Sequence, residues 1–413
     1  MHPADPTTQG DHLYFTWTAQ RAAHPLTVDR AEGARFHTRE RGWLWDLESQ
    51  TYNVNAGHGN RHIQERMIAQ IRELPAAGPN MRLPIRAELG ELLAERTGLA
   101  KAFLATGGAE AVENAIKIAR LVTGRTKIVT RRNSYHGATL ATLGVAGDPR
   151  RRPFDAALPP GIHIDDPYPC EPGDPSAWVR SLHATLEREG PDTIAAILLE
   201  GFTGTNGMQV PPPDFWPAVR AACDAHGILL IDDEIFSGFG RTGRWFAREH
   251  WAVLPDMMVL GKGLTSGYAP LSAVMTSAKV AAHFDDHKLW CGLTSYAHPV
   301  GCAAAVGAIE VYARDGLPES ADRVGAALHA RLVDLSRRPS TRGAIRDLRG
   351  LGLMRCVELD RPVAGLAADL LDRGAYAPFR DNLLFLCPPL CLGLDDAHAI
   401  ADLLDAAITD LVR

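Results

Sequence analysis

Two short apolar runs that end in charged side chains constrain the fold of this chain most strongly. Residues 228–231 lead directly into Asp232 and Asp233, and residues 257–260 lead to Lys262, which stands between two glycines. Four apolar residues in a row suit a strand that is buried on both faces of a parallel sheet. Open α/β sheets bind ligands at the carboxyl ends of their strands. The sequence therefore predicts an α/β fold that brings a carboxylate and a lysine to one edge of its sheet.

A lysine paired with an aspartate is the combination that pyridoxal phosphate chemistry requires. The lysine amine forms a Schiff base with the aldehyde of the cofactor, whose ring then acts as an electron sink. The ring accepts electrons best when its nitrogen is protonated, and a neighbouring carboxylate favours that form. Each residue alone is weak support, since an aspartate after a strand is usually a turn residue and a single lysine is usually solvated.

The residues around this pair carry a family resemblance. Residues 232–243 read Asp-Asp-Glu-Ile-Phe-Ser-Gly-Phe-Gly-Arg-Thr-Gly, and Gly-Lys-Gly follows at 261–263. This combination resembles the signature of the class III, or omega, aminotransferases, which are pyridoxal-phosphate enzymes of fold type I. The resemblance implies that Lys262 carries the cofactor and moves the proton, and that Asp233 contacts the pyridine nitrogen. It also implies ping-pong transfer of an amino group from an amine or omega-amino acid to a 2-oxo acid such as pyruvate or 2-oxoglutarate.

A glycine turn before a helix is the expected phosphate site. Residues 102–105 predict a short strand, and the apolar spacing that follows predicts a helix ending at Gly124. The N–H groups and positive dipole end of such a helix favour an anion, although an isolated glycine pair is more often an ordinary turn. The stretch resembles the phosphate loop of the family, with Gly107 in place of a serine. The resemblance thus implies that Gly107, Gly108 and Ala109 bind the cofactor.

The Tyr-His-Gly step at 135–137 resembles the family segment whose aromatic ring stacks on the cofactor. The resemblance places Tyr135, a third expected catalytic residue, on one face of the cofactor ring and Ile235 on the other. It adds His136 and Glu200 to the cofactor contacts. It also implies that Thr294 reaches the cofactor phosphate of a neighbouring subunit, and therefore that the protein is a homodimer with active sites at its interface.

Three residues are candidates for binding the substrate. Tyr14 and Trp17 belong to an aromatic segment that either docks on the core or, as the family implies, covers the active site. Arg380 lies near the place of a mobile, carboxylate-binding arginine in some family members, and a surface arginine is the alternative. Thr205 occupies the place of a glutamate that in some members switches the pocket between two donors, so a switch of that kind is disfavoured.

Three local features depart from the family or carry little functional weight. Family members usually have a longer hairpin at the place of the connection between Asp46 and His58. The shorter connection puts in doubt the pocket contacts that are usually made from that hairpin. Phe236 stands where many members have a glutamine near the phenolic oxygen of the cofactor. The Gly-Asp-Pro-Arg-Arg turn at 147–151 resembles a subset often described as taurine-, β-alanine- or ω-amino-acid:pyruvate transaminase-like. A Pro-Arg-Arg turn, however, is more often at the surface than in a pocket.

Composition argues against several kinds of partner. The net charge is −6, with no basic block, so neither nucleic acid nor an anionic membrane surface is expected. The sequence contains no apolar run of about 18 residues, the length of a transmembrane helix, and its start is polar. Its seven cysteines are scattered without the Cys-x-x-Cys spacing of metal sites. We therefore expect a cytoplasmic protein without a metal ion.

The order of the predicted elements indicates two domains. We expect a mostly parallel sheet flanked by helices, with a smaller α+β domain made from both ends of the chain. In this scheme residues 1–55 contribute to the small domain and cover the active site. Residues 56–300 form the large cofactor-binding domain, and residues 301–413 form the C-terminal small domain.

Other interpretations are open or fail on their context. Residues 238–243 match the Gly-x-Gly-x-x-Gly pattern of dinucleotide sites, but the helix start and the later acidic residue are lacking. Asp232, Asp233 and Glu234 could suggest a metal ion, yet successive strand residues point to opposite faces. The expected site would also support class III aminomutases, racemases, decarboxylases or phospholyases. A non-catalytic protein that binds the cofactor is the less favoured alternative.

Overall fold

The computed structural model describes residues 12–158, 160–168, 177–341 and 343–412. Its strands are β1 (Val28–Glu32), β2 (Arg35–Thr38), β3 (Gly42–Asp46), β4 (Lys101–Ala105), β5 (Lys127–Arg131), β6 (Ile162–Ile164), β7 (Ile194–Glu200), β8 (Leu229–Asp233), β9 (Met257–Leu260), β10 (Ser272–Thr276), β11 (Ile345–Leu351), β12 (Met354–Leu359), β13 (Ala375–Tyr376), β14 (Phe379–Arg380) and β15 (Leu383–Leu386). Its helices are α1 (Ser49–Tyr52), α2 (Arg61–Glu73), α3 (Pro84–Thr97), α4 (Gly108–Thr123), α5 (Leu140–Val145), α6 (Ala177–Glu189), α7 (Phe215–His226), α8 (Ala278–Asp286), α9 (Pro299–Arg314), α10 (Leu317–Arg337), α11 (Ala364–Asp372) and α12 (Leu394–Val412).

A seven-stranded sheet forms the centre, in the order β4-β10-β9-β8-β7-β5-β6. Strand β10 is antiparallel to both of its neighbours, and the other strand pairs of this sheet are parallel. The predicted mostly parallel sheet is thus confirmed. Strands β8 and β9 are adjacent, with Asp233 opposite Val259. The two apolar runs of the sequence therefore end side by side.

Helices cover both faces of this sheet. Strand β7 is buried along its whole length. Its Leu198 packs in the apolar cluster that includes the buried side of α4, whereas Ile197 and Leu199 pack with α6 and α7. Successive strand residues point to opposite faces, so burial on both faces explains why the run is apolar without alternation.

Two four-stranded sheets lie beside the central one, in the orders β1-β2-β3-β13 and β11-β12-β15-β14. Strand β13 pairs with β3 in parallel, with Ala375 opposite Trp45. Segments from near both ends of the chain therefore share one sheet, as expected for a smaller α+β part. The domain limits at residues 55 and 300 stay a prediction.

Glycines end the two helices that precede strands of the site region. Helix α4 ends at Gly124 and α7 ends at Gly227, with φ angles of 68° and 60°. Residues with a Cβ adopt this left-handed conformation only at an energetic cost. The sequence predicted the end of α4 from Gly124, and this prediction is confirmed.

Across the described ranges, no helix is both long enough and apolar enough to cross a membrane. The same residues contain no group of three or more His, Cys, Asp or Glu side chains placed to hold a metal ion. The six cysteines that the structure describes are unpaired, and Cys170 lies outside the described residues.

Candidate active site

A cavity of about 370 Å³ lies where β7, β8 and β9 end. The structure brings most of the predicted site residues together in its wall. Those that line it are Trp17, Gly108, Ala109, Tyr135, His136, Glu200, Asp233, Ile235 and Lys262. The convergence of residues from distant parts of the chain supports the site expected from the sequence.

Lys262 follows β9 and extends its amine into this cavity. Burial lowers the pKa of Lys262 to about 8, although Asp233 and Glu200 act in the opposite direction. Among the described residues no hydrogen bond or ion pair involves Nζ, which lies 4.6 Å from the ring centroid of Phe236. An amine in this state is partly neutral near pH 8 and is therefore able to act as a nucleophile or a base.

Asp233 ends β8 and is oriented by two hydrogen bonds. Its Oδ2 lies 2.8 Å from Nδ1 of His136, and its Oδ1 accepts the backbone N–H of Ile235 at 3.1 Å. His136 is fully buried, and its Nε2 has no hydrogen-bond partner in the described part of the chain. The histidine thus holds the carboxylate in place while Asp233 keeps a face toward the cavity.

Close approaches of the backbone fix the two residues predicted to sandwich the cofactor ring. A Cβ on Gly108 would lie 2.9 Å from Cδ1 of Ile235, and a Cβ on Gly137 would lie 2.6 Å from Cβ of Ala109. Gly137 also has a φ angle of 131°, which side chains rarely tolerate. The glycines therefore allow the Tyr135 segment and Ile235 to pack against the predicted phosphate loop.

That loop opens α4. Gly107 is the N-cap residue, and the helix continues from Gly108 to Thr123. The first N–H groups of a helix have no partner within it, and the dipole places positive charge there. Ser272 Oγ donates to the carbonyl of Gly107 at 2.9 Å and fixes the loop to β10. This end of the cavity is suited to a phosphate.

Glu200 links two walls of the cavity. Its Oε1 accepts the N–H of Tyr135 at 3.0 Å, and its Oε2 accepts the N–H of Gly204 at 2.9 Å. Behind it, the fully buried Arg131 lies 3.7 Å from Oε1 and donates to Tyr168 at 2.7 Å. Sequence reasoning missed Arg131, and a charged residue at the end of the apolar strand β5 was the available signal. A direct contact of Glu200 with the cofactor stays a prediction.

Arg150 is the principal site residue that the sequence interpretation placed wrongly, at the surface. Its guanidinium carbon lies 3.6 Å from the ring centroid of Tyr135 and 5.3 Å from that of Trp17, and it lines the cavity. Asp148 binds its Nε at 2.8 Å and its Nη2 at 3.0 Å. A Cβ on Gly147 would overlap the carbonyl of Arg132, so this glycine lets the turn pack onto the end of β5.

The shortened connection after β3 also reaches the cavity, which corrects the doubt raised by its length. Thr51 and Tyr52 line the cavity, and α1 is a single turn in which all four residues have positive φ angles. Left-handed backbone at non-glycine residues is strained and persists where surrounding contacts determine it. Here the buried Ser49 donates to the carbonyl of Cys387 at 2.5 Å.

The remaining predicted residues do not line the cavity. Tyr14 is 88% exposed, and Thr294 is exposed as well. Arg380 contacts the loop that follows β7. Its Nη1 donates to Oδ1 of Asn206 at 2.8 Å and lies 3.8 Å from Oδ2 of Asp148. The roles expected for these three residues stay predictions.

The residues present fit pyridoxal phosphate. The cavity offers a lysine amine that has no polar partner among the described residues, a carboxylate held by His136, and a helix N-terminus for the phosphate. On a mostly parallel sheet, this arrangement defines a lysine-dependent pyridoxal-phosphate site of fold type I.

Comparison with known proteins identifies the family. The sequence model of the family Aminotransferase class-III matches residues 17–408. An acetylornithine aminotransferase of Methanopyrus kandleri is 35% identical over 399 residues, covering 92% of this chain and 94% of that protein. An omega-aminotransferase of Caulobacter vibrioides is 32% identical over 412 residues, covering 92% and 93%. The taurine:2-oxoglutarate aminotransferase of Bifidobacterium kashiwanohense, solved with the cofactor and glutamate, superposes with a TM-score of 0.91 at 30% identity, covering 97% of this chain and 96% of that chain.

The chain belongs to the class III aminotransferases. It is a pyridoxal-phosphate-dependent enzyme that transfers an amino group from an amine or omega-amino acid donor to a 2-oxo acid.

Proposed function

We propose that the preferred amino donors are short primary amines with an anionic group at the far end, such as omega-amino acids or aminosulfonates. The observation that carries this proposal is the guanidinium of Arg150 in the cavity wall. Asp148 and Thr205 hold its Nε and Nη2, whereas no hydrogen bond to Nη1 occurs among the described residues. Nη1 is therefore available to an acidic group of the substrate, for which guanidinium is well suited.

Two relatives support an acidic substrate. The taurine:2-oxoglutarate aminotransferase is named for a sulfonate donor and was solved with glutamate. A taurine–pyruvate aminotransferase of Bilophila wadsworthia is also similar to this chain, at 29% identity, covering 96% of this chain and 95% of that protein. Taurine, glutamate and 2-oxoglutarate each carry an anionic group at a distance from the reacting carbon.

The roles proposed for the site residues follow from their positions. Pyridoxal phosphate supplies an electron sink that eases removal of a proton from the carbon bearing the amine. Nζ of Lys262, whose pKa is lowered, would take up that proton and return it later in the transfer. Asp233, held by His136, keeps the ring nitrogen protonated. Tyr135 and Ile235 hold the ring plane, and the N–H groups of α4 bind the phosphate.

We also propose a homodimer in which Thr294 of one subunit completes the phosphate site of the other. Helix α2 exposes Ile68 and Ile71 to the extent of 46% and 50%; Leu74, directly after the helix, is 42% exposed, and Met81 is 62% exposed. Exposed apolar side chains that recur along one helix face are typical of an interface. The unpaired state of the described cysteines is compatible with the cytoplasmic location that we expect.

The test compares charged and neutral donors of similar length. Wild type should use β-alanine and taurine far better than propylamine, with pyruvate or 2-oxoglutarate as acceptor. Arg150→Gln should lower kcat/KM for the two acidic donors roughly 10- to 100-fold, because a hydrogen bond to a charged group contributes about 1.5–3 kcal/mol. Activity with propylamine should change by less than about threefold.

The control is Arg132→Gln, since Arg132 is 64% exposed and pairs with Asp165 at the surface. An equal loss with acidic and neutral donors in Arg150→Gln would contradict the proposed specificity. Conversion of the donor without any amino transfer to the 2-oxo acid would instead point to another class III reaction.

A further inference from the structure

The amine of Lys262 lies close to two aromatic rings. Its Nζ lies over the ring of Phe236, 4.6 Å from the centroid, and 5.9 Å from the centroid of Tyr52. Both rings are buried, and both line the cavity. Since no hydrogen bond to Nζ occurs among the described residues, these rings are its nearest identified partners. The face of an aromatic ring carries partial negative charge and attracts an ammonium group.

The Phe236 ring is held rigidly. It packs against Tyr52, with ring centroids 4.4 Å apart and an angle of 49° between the planes. On the other side a Cβ on Gly204 would lie 3.0 Å from the Phe236 ring, so the loop backbone lies against it. Tyr52 is placed by the strained turn α1 and donates its N–H to the carbonyl of Glu48 at 2.8 Å. The ring is therefore in position before any ligand binds.

The groups around Lys262 shift its pKa in both directions, and a ring contact would add to those that favour the ammonium form. Burial lowers the pKa of the amine most, and Arg150 acts in the same direction. Asp233 and Glu200 raise it, with a smaller contribution from Cys387. Both carboxylates are already engaged, Asp233 by His136 and Glu200 by backbone N–H groups. A ring face adds attraction for the ammonium form without adding a hydrogen-bond donor that would occupy the lone pair of the neutral amine.

We propose that Phe236 is a positioning residue that stabilises the ammonium form of Lys262 through its ring face, with Tyr52 fixing the ring. The inference rests on the role proposed for Lys262 as the group that holds and returns a proton. The ring of Phe236 then favours proton uptake by Lys262. Asp233 and Glu200, the two carboxylates near Lys262, keep the cofactor contacts predicted for them.

The experiment measures how fast cofactor-free protein captures pyridoxal phosphate, as a function of pH. Bond formation requires neutral Lys262, so the wild-type rate should rise with a midpoint near pH 8. Phe236→Leu keeps apolar volume but removes the ring face, and its midpoint should fall by about 0.4 to 1.5 pH units. Trifluorophenylalanine at 236, which keeps the ring shape, should shift the midpoint in the same direction. Phe154→Leu, at a phenylalanine that is 48% exposed and does not line the cavity, should leave the midpoint unchanged.

The possible failures are distinguishable. A midpoint that stays in place or rises in both Phe236 variants would overturn the role of Phe236 alone. If Phe236→Leu fails to fold, as judged by circular dichroism, the fluorinated variant decides. A capture signal that persists in Lys262→Ala would overturn the role of Lys262 and this inference with it.

Discussion

At the scale of single residues, Asp232 and Glu234 are two fully buried carboxyl groups whose pKa values are both raised by burial. Both oxygens of Asp232 are buried without a hydrogen-bond partner among the described residues. Burial raises the pKa of Asp232 well above its usual value, and Glu234 raises it further, while Arg248 opposes the shift. The pKa of Glu234 is raised too, although Ser237 donates to its carboxylate. Two adjacent carboxylates in an apolar interior share one proton more readily than they ionise together.

This pair predicts a specific dependence of stability on pH. A raised pKa in the folded state means that the free energy of unfolding falls as pH increases from about 3.9, the ordinary value for Asp, through the raised value. Asp232→Asn supplies a neutral donor to Glu234 and should flatten this decline. The measurement is the Tm of both proteins between about pH 5 and pH 9, with the surface variant Asp224→Asn as control. Parallel curves for wild type and Asp232→Asn would show that the pair carries no extra proton.

At the scale of elements, the left-handed turn α1 predicts that the protein tolerates glycine in place of Thr51. Thr51 has a φ angle of 64° in a left-handed turn, which costs a branched residue about 1–2 kcal/mol. Glycine removes this strain but has greater freedom in the unfolded chain, worth roughly 0.5–1 kcal/mol. Thr51→Gly should therefore raise the free energy of unfolding in urea by about 0.5–1 kcal/mol. Thr123→Gly, in the regular helix α4, should lower the free energy of unfolding. A similar decrease in Thr51→Gly would show that the backbone at Thr51 is not strained.

The elements also show what the sequence could predict. Strand β9 has its predicted limits and helix α4 has its predicted end, because burial on both faces and a terminal glycine leave strong local signals. The position of Arg150 and the left-handed turn α1 depend on contacts between segments far apart in the chain. Those contacts include the approach of Gly147 to the backbone of Arg132 and the hydrogen bond from Ser49 to Cys387. Spacing along the chain carries no signal for them.

The same distinction between local signals and distant contacts applies to the candidate active site. The position of Lys262 and Asp233 at one edge of the sheet was predictable, because Asp233 ends the buried strand β8 and Lys262 follows the buried strand β9. Their catalytic roles stay predictions. Glu200 was predicted as a cofactor contact, yet its two oxygens hold backbone N–H groups of the cavity wall. Such a bridging contact depends on how the loops meet in three dimensions.

At the scale of the whole molecule, the proposed dimer predicts that cofactor affinity depends on association. Thr294 is exposed in the single chain, and its role requires a second copy. Thr294→Ala should weaken binding of pyridoxal phosphate by about 3- to 10-fold, as expected for one lost hydrogen bond, without changing the dimer mass in sedimentation. Ser295→Ala, at the adjacent exposed position, is the matched control. A monomeric wild type, or unchanged affinity in Thr294→Ala, would remove Thr294 from the site.

We propose that Lys262 carries the cofactor and that the cofactor carries the amino group from donor to acceptor. The most direct measurement is the visible absorption spectrum of the purified protein with pyridoxal phosphate, recorded beside Lys262→Ala. Wild type should show the band of lysine-bound cofactor, β-alanine or taurine should abolish the band, and pyruvate or 2-oxoglutarate should restore it. Lys262→Ala should lack the band. A wild type without this band after the cofactor is supplied, or a variant that still cycles between donor and acceptor, would contradict the claim.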